Sequence, residues 1–212
     1  MLNLRHSQHG VTLIELMIAV VLMGILLMLA APGYSTWIQN QQIRAGAESI
    51  LNGIQLARST AVNNNAPTRF NLCDTASSWQ VLAASSTAAA ADPAVTPCAA
   101  GAAVGAGNEV RVQYRSSQNG SRAGQIYAIS GVSTTVPVVD DTNSRNITFN
   151  SFGRVVANDA AIGGNSISTI EVATQQGGTQ VAGTRPLLVI VQPGGNVRMC
   201  DPAAPANDPR KC

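Results

Sequence analysis

One acidic residue lies where its charge should be difficult to accommodate. Glu15 follows Gly10 by five residues in the segment Gly-Val-Thr-Leu-Ile-Glu-Leu, and an apolar run continues behind it to Ala31. A charge at bilayer depth costs about 2.5 to 3.5 kcal/mol on insertion scales, so the carboxylate should have a partner. The pattern therefore predicts a specific electrostatic contact inside an otherwise apolar helix.

The apolar run has two simpler interpretations, a secretory signal peptide that ends at Ala30-Ala31 and a plain membrane anchor. Residues 11–31 number 21, which is nearer the roughly 20 that span a bilayer than the roughly 7 to 15 of a signal core. Neither interpretation explains Glu15. Arg5 should hold the polar residues 1–10 on the cytoplasmic side.

The segment from Gly10 to Leu16 resembles the class III leader and N-terminal helix of type IV pilins and pseudopilins. The resemblance implies that a prepilin peptidase cuts between Gly10 and Val11 and methylates the new α-amine of Val11. It also implies that Glu15 pairs with such an amine of a neighbouring subunit during filament assembly. The family usually has phenylalanine after the glycine, whereas this chain has Val11.

The helix should continue past the apolar run, because small or apolar residues recur at alternating spacings of four and three and so share one helical face. Pro32 should kink or locally melt the helix. Three asparagines before Ala66-Pro67 should end it near residue 64. We therefore expect a leader at 1–10, a transmembrane part at 11–31, an amphipathic part at 32–64 and a head at 65–212. The predicted face consists of Ile43, Ala47, Ile50, Ile54, Ala57 and Ala61.

Past Pro67 the sequence alternates between apolar and polar residues and is punctuated by glycine pairs, as in β-strands joined by turns. The predicted fold class is α+β, a long N-terminal helix packed on an antiparallel β-sheet head, which the pilin resemblance also implies. Residues 83–107 are rich in alanine and should form a surface loop. Strands are predicted at 68–73, 79–83, 109–115, 125–130, 146–150, 166–173, 186–192 and 197–200.

The four cysteines are Cys73, Cys98, Cys200 and Cys212. None forms a Cys-x-x-Cys motif, and four widely spaced thiolates are a poor zinc site. An even number in an oxidising compartment predicts disulfides, with three pairings open. The sequence-local pairing, Cys73–Cys98 and Cys200–Cys212, is favoured, since closing the second loop is worth about 3 kcal/mol in the chain-entropy model.

Catalysis has no residues to support it. His6 and His9 lie in the predicted leader, so the mature chain lacks the imidazole of a Ser-His-Asp or Cys-His arrangement. No cofactor or metal is expected. Arginines near the C-terminus could neutralise a few phosphates, which would give weak, salt-dependent DNA binding.

Three further stretches resemble the GspH/FimT/FimU branch of minor pilins and pseudopilins. They are Ile-Gln-Leu-Ala-Arg-Ser-Thr-Ala-Val (54–62), Ile-Thr-Phe-Asn-Ser-Phe-Gly-Arg (147–154) and Gly-Gly-Asn-Val-Arg-Met-Cys-Asp-Pro (194–202). The branch implies a non-enzymatic subunit of a type IV pilus. The alternatives are a type II secretion pseudopilin and a DNA-binding minor pilin for natural transformation.

DNA-binding members carry Gly-Arg-x-Arg near the C-terminus, where this chain reads Gly195-Asn196-Val197-Arg198. Arg198 is therefore the candidate phosphate contact, and Arg210 and Lys211 could replace the missing arginine. The resemblance implies as partners the prepilin peptidase, other pilin subunits and an inner-membrane assembly platform. It places the chain in the bacterial inner membrane as a single-pass protein with a periplasmic head, and afterwards in the filament.

Overall fold

A computed structural model describes residues 11–73, 78–84, 109–115, 125–129, 136–138, 145–158, 165–176 and 179–212. The chain divides into two compact units, Met1–Ile38 and Gln39–Cys212. The second unit holds all the strands and is referred to below as the head.

Helix α1 (Leu13–Asn64) ends in a Schellman motif. Asn65 has a left-handed φ of 50°, while the Ala66 amide donates to Ala61 and the Asn65 amide to Val62. These bonds satisfy carbonyls that the last turn would otherwise leave without partners. The helix continues through Pro32 without interruption, so local melting, one of the two effects predicted for Pro32, does not occur, while the kink stays a prediction. Proline removes one backbone donor, and the turns on either side keep their own bonds.

The predicted apolar face of α1 forms the centre of the head, and its six residues are fully buried. They pack in one cluster with Phe70, Ile147 and Val189 from the strands. Trp79 also forms a hydrogen bond with the helix, in which its indole N–H donates to Ser49 Oγ at 3.0 Å. The prediction of a helix packed on the sheets is therefore confirmed within the head.

The strands form two larger antiparallel sheets and a two-stranded one. The first sheet has the order β3-β2-β1-β5-β6, the second β11-β10-β7-β4, and the third pairs β8 with β9. The strands are β1 (Thr68–Leu72), β2 (Trp79–Ala84), β3 (Glu109–Arg115), β4 (Gln125–Ile129), β5 (Asn146–Phe149), β6 (Val155–Val156), β7 (Thr169–Ala173), β8 (Gln175–Gln176), β9 (Thr179–Gln180), β10 (Leu187–Val191) and β11 (Val197–Cys200).

All eight predicted strand regions contain a strand, while β6, β8 and β9 were missed. Each of the missed strands has two residues, too few to show alternation. The predicted Ala-rich loop needs a correction at its start. Ala83 and Ala84 are buried in β2, because they pair with Val110 and Glu109 of β3. The remainder, 85–107, lies outside the described residues.

Strand β10 is buried on both faces. Val189 and Val191 point into the main core, whereas Leu188 and Ile190 join a smaller cluster that contains Cys200. A continuous apolar run rather than an alternating one is the pattern expected of such a strand. The second sheet therefore has an apolar cluster on each of its faces at β10.

A buried carboxylate joins three segments of the head. Glu171 on β7 is fully buried and accepts hydrogen bonds from the Val138 amide and, at 3.1 Å, from Gln180 Nε2. Burial raises the pKa of Glu171 above its ordinary value of 4.5, and the two hydrogen bonds offset part of that rise. The folded protein therefore binds the proton of the Glu171 carboxyl group more tightly than the unfolded chain does.

This difference in proton affinity predicts a pH-dependent stability. The contribution of Glu171 to the free energy of unfolding should fall as pH rises from 4.5 towards the raised folded-state pKa, because the carboxylate must then ionise without water. Glu171→Gln should remove that slope, as measured by urea unfolding at several pH values. The exposed Glu48→Gln is the control and should keep it. An unchanged slope in Glu171→Gln would contradict the assignment.

Candidate functional site

The first turn of α1 contains the acidic residue singled out in the sequence. The Glu15 amide donates to Thr12 Oγ1 at 3.3 Å, and the Leu16 amide donates to the Thr12 carbonyl at 3.2 Å. Thr12 is therefore the N-cap, and Glu15 occupies the third helical position, as in a capping box. A carboxylate there is favoured by the positive end of the helix dipole. Gly10 lies outside the described residues, while Val11 immediately precedes the cap.

Glu15 is surrounded in sequence by exposed apolar side chains. Each of the large hydrophobic residues described from Val11 to Leu26 is more than half exposed. A continuous apolar surface of this kind marks a contact with another apolar phase or molecule. Among the described residues, no helix combines the length and apolar character needed to cross a membrane. The predicted transmembrane part at 11–31 stays a prediction.

Within the head, the three stretches that resemble the GspH branch meet at the side chain of Arg58. Arg58 Nε donates to the Gly153 carbonyl at 3.1 Å, and its Nη1 donates to Asn196 Oδ1 at 3.4 Å. One guanidinium thus joins α1 to two separate turns. A backbone hydrogen bond also joins the two turns directly, because the Val155 amide donates to the Pro193 carbonyl at 3.0 Å.

Glycine is required where the two turns touch. Between β10 and β11, the Gln192 amide donates to the Asn196 carbonyl at 2.9 Å, which leaves Pro193, Gly194 and Gly195 as a three-residue tip. Gly195 has a φ of +82°, which suits the third position of such a tip. A Cβ on Gly195 would lie 2.0 Å from the Gly153 carbonyl oxygen. On the other turn, Asn150 Oδ1 accepts from the amides of Phe152 and Arg154. The resemblance identified these stretches, but it did not reveal that they form a single contact.

The C-terminal loop is closed by the Cys200–Cys212 disulfide, with a Cα–Cα distance of 5.1 Å, so this predicted pairing is confirmed. Inside the loop, the Asp201 amide donates to the Arg210 carbonyl at 2.7 Å. Cys73 is also disulfide-bonded. Its predicted partner, Cys98, lies outside the described residues, so that pairing stays a prediction.

The cations proposed for phosphate binding differ in their surroundings. Arg198 lies exposed on β11 opposite Ile190. Lys211 Nζ donates to the Pro202 and Ala204 carbonyls, and Arg210 pairs with Asp208 at 2.6 Å. Hydrogen bonding from Arg210 lowers the pKa of Asp208 to about 2, so this pair stays ionised at neutral pH. Arg210 and Lys211 therefore already make contacts within the loop.

Metal binding was not expected from the sequence. Over the described part of the chain, no three His, Cys, Asp or Glu side chains are grouped so that they could hold a metal ion.

Comparisons with known proteins match the N-terminal segment and most of the head. Residues 5–31 match the prokaryotic N-terminal methylation motif, and residues 46–195 match the type II transport protein GspH. The chain belongs to the GspH family. It is therefore a structural, non-enzymatic subunit of the minor pilin and pseudopilin class, as the resemblance implied.

The GspH-family match includes Arg58, Gly153 and Gly195 and ends one residue before Asn196, the second acceptor of Arg58. Among solved structures, the chain is similar to the type IV minor pilin FimU of Pseudomonas aeruginosa, at 14% sequence identity and a TM-score of 0.44. That likeness covers 80% of this chain and 97% of FimU. The comparison with curated proteins gave no match.

Proposed function

We propose that this protein is a minor subunit of a type IV pilus, inserted as a single-pass protein in the inner membrane with its head in the periplasm. The observation that carries the proposal is the position of Glu15, which is capped by Thr12 at the start of a helix whose apolar side chains are exposed. In lipid, the carboxylate has little solvation. In a filament, the α-amine of an adjacent subunit would neutralise it while the apolar surface packs against other helices.

The proposal includes maturation by a prepilin peptidase that also methylates the new amine. Cleavage between Gly10 and Val11 would place the free amine one residue before the Thr12 cap, at the end of the helix. The methylated α-amine of Val11 would then supply the cation for Glu15 of a neighbouring subunit. The methylation motif matched at residues 5–31 supports this step.

Processing can be tested directly at Gly10. In Gly10→Val, the branched side chain should prevent cleavage, and the protein isolated from cells should keep its leader. Wild-type protein should begin at a methylated Val11. The measurement is intact-mass spectrometry of both proteins. Val11→Phe is the control, because it restores the family's usual residue and should be processed normally. A wild-type protein that begins at Met1 without a methyl group would overturn the proposal.

The second candidate is a pseudopilin of a type II secretion system, which the description of the matched family favours. The two candidates differ in where the subunit accumulates. A pilus subunit should be recovered in filaments sheared from the cell surface, whereas a pseudopilin at native expression should stay with the cell envelope.

A further inference from the structure

A cleft of about 250 Å³ lies in the head beside the C-terminal disulfide loop. Its walls come from α1, from the segment that leads into β10, from the end of β11 and from the loop itself. Leu187 and Met199 provide apolar surface, and three arginines line the same cleft, Arg44, Arg185 and Arg210. The elements that supply these arginines are far apart in the sequence.

Two structural features hold the arginines around the cleft. Asn40 fixes the Arg185 segment, because its Oδ1 accepts from the Arg185 amide at 2.8 Å and its Nδ2 donates to the Gly183 carbonyl at 3.3 Å. The disulfide and the bond from the Asp201 amide to the Arg210 carbonyl fix the opposite wall. The backbone positions are therefore set before any ligand binds.

Each arginine of the cleft has one carboxylate within 4.0 Å, and the contact of Arg185 is the longest of the three. The lining of the cleft contains three guanidinium groups and one carboxylate, that of Asp201. Arg44 pairs with Glu48 at 3.2 Å and Arg210 with Asp208 at 2.6 Å, both outside the lining. Within the described residues, the Arg185 guanidinium has no hydrogen-bond acceptor, and Asp201 Oδ2 lies 4.0 Å away. The arginine side chains are 60%, 68% and 72% exposed for Arg44, Arg185 and Arg210.

We propose that this cleft binds a carboxylate carried by a partly apolar peptide segment of a neighbouring protein subunit. A guanidinium presents a planar pair of donors that matches a carboxylate, and Leu187 and Met199 would contact the apolar residue beside it. The volume corresponds to about eight liquid waters, which is enough for an acidic side chain and its neighbour. That the ligand belongs to a neighbouring subunit rests on the proposed function. The charge and shape of the site do not.

The same features disfavour a nucleic acid as the ligand. Even a single DNA-binding module buries about 600 to 1,000 Å² of protein surface, whereas this site is a small concave cleft. A phosphate chain would bring several negative charges to a lining that already contains the Asp201 carboxylate. A single carboxylate brings one, and its apolar neighbour would contact Leu187 and Met199.

The test is a titration of full-length protein in detergent with a fluorescein-labelled Leu-Glu-Leu-Asp-Leu peptide, followed by anisotropy. The amide peptide Leu-Gln-Leu-Asn-Leu should bind about tenfold more weakly or not at all, because it lacks the charge. Arg185→Ala and Arg44→Ala should each weaken binding of the acidic peptide by about five- to tenfold. Arg198→Ala removes an exposed arginine that does not line the cleft, and should leave binding unchanged.

Three results would overturn the proposal: no binding of the acidic peptide, equal binding of the amide peptide, or unchanged affinity in both Arg185→Ala and Arg44→Ala. Circular dichroism of each variant checks that the fold is retained. Tighter binding of a single-stranded oligonucleotide, lost in the same variants, would replace the carboxylate with phosphate and also overturn the proposal. Peptide binding by a chain that never enters filaments would contradict the proposed function alone, and incorporation without peptide binding would contradict this inference alone.

Discussion

Gly195→Ala should destabilise the head by about 3 to 5 kcal/mol, which places it among the most damaging single substitutions available in this chain. Two costs add. A side chain at a φ of +82° is strained, by about 1 to 3 kcal/mol. The new Cβ would also lie 2.0 Å from the Gly153 carbonyl oxygen, so the two turns would have to separate. Their separation would also weaken the bonds from Arg58 to both turns.

Gly194 provides a matched control for this prediction. It adjoins Gly195 in the same loop, but a Cβ there would meet nothing within 4 Å, so Gly194→Ala should stay within about 0.5 kcal/mol of the wild type. Urea unfolding followed by tryptophan fluorescence measures both variants, since Trp79 is buried in the core. Equal stability of the two variants would show that contact between the turns is unimportant.

The sequence predicted well those parts of the fold that depend on local periodicity. The apolar face that includes Ile43, Ile50 and Ala61 is fully buried, because helical spacing alone decides which residues share a face. The strand predictions succeeded for the same reason. They failed for β6, β8 and β9, where pairing to a neighbouring strand, rather than any pattern within the strand, defines the element. The end of α1 was also predictable, since asparagine tolerates the left-handed conformation that Asn65 adopts.

The sites depend on contacts between distant segments, and the sequence indicated them less completely. The Cys200–Cys212 pairing was predictable because its loop is short. Arg58 and Gly195 were within recognised stretches, but nothing in either stretch shows that the two residues approach each other. The arginine cleft had no sequence signal at all, because Arg44 and Arg185 belong to different elements that Asn40 brings together. The sequence around Glu171 likewise gives no sign of its role, since only the fold shows that its carboxylate is buried.

Glu15→Ala and Glu15→Val should leave membrane insertion intact but reduce filament incorporation by roughly ten- to a hundredfold. Removing a charge from an apolar segment lowers the cost of inserting it into lipid, so the amount of membrane protein should not fall. The same change removes the acceptor for a neighbouring subunit's amine. A charge-assisted contact of this kind is worth about 1.5 to 3 kcal/mol. The measurement compares the variant in sheared filaments with the variant in the membrane fraction.

The variant Thr12→Ala distinguishes the effect of the Glu15 charge from the effect of the helix cap. It removes the acceptor of the Glu15 amide, which should cost the helix end about 1 kcal/mol, while the carboxylate remains. If Glu15 acts through its charge, Thr12→Ala should enter filaments far better than Glu15→Ala. Glu15→Asp should restore part of the incorporation, because the charge returns on a shorter side chain. Normal incorporation of Glu15→Ala, or equal defects in Glu15→Ala and Thr12→Ala, would show that the electrostatic contact does not drive assembly.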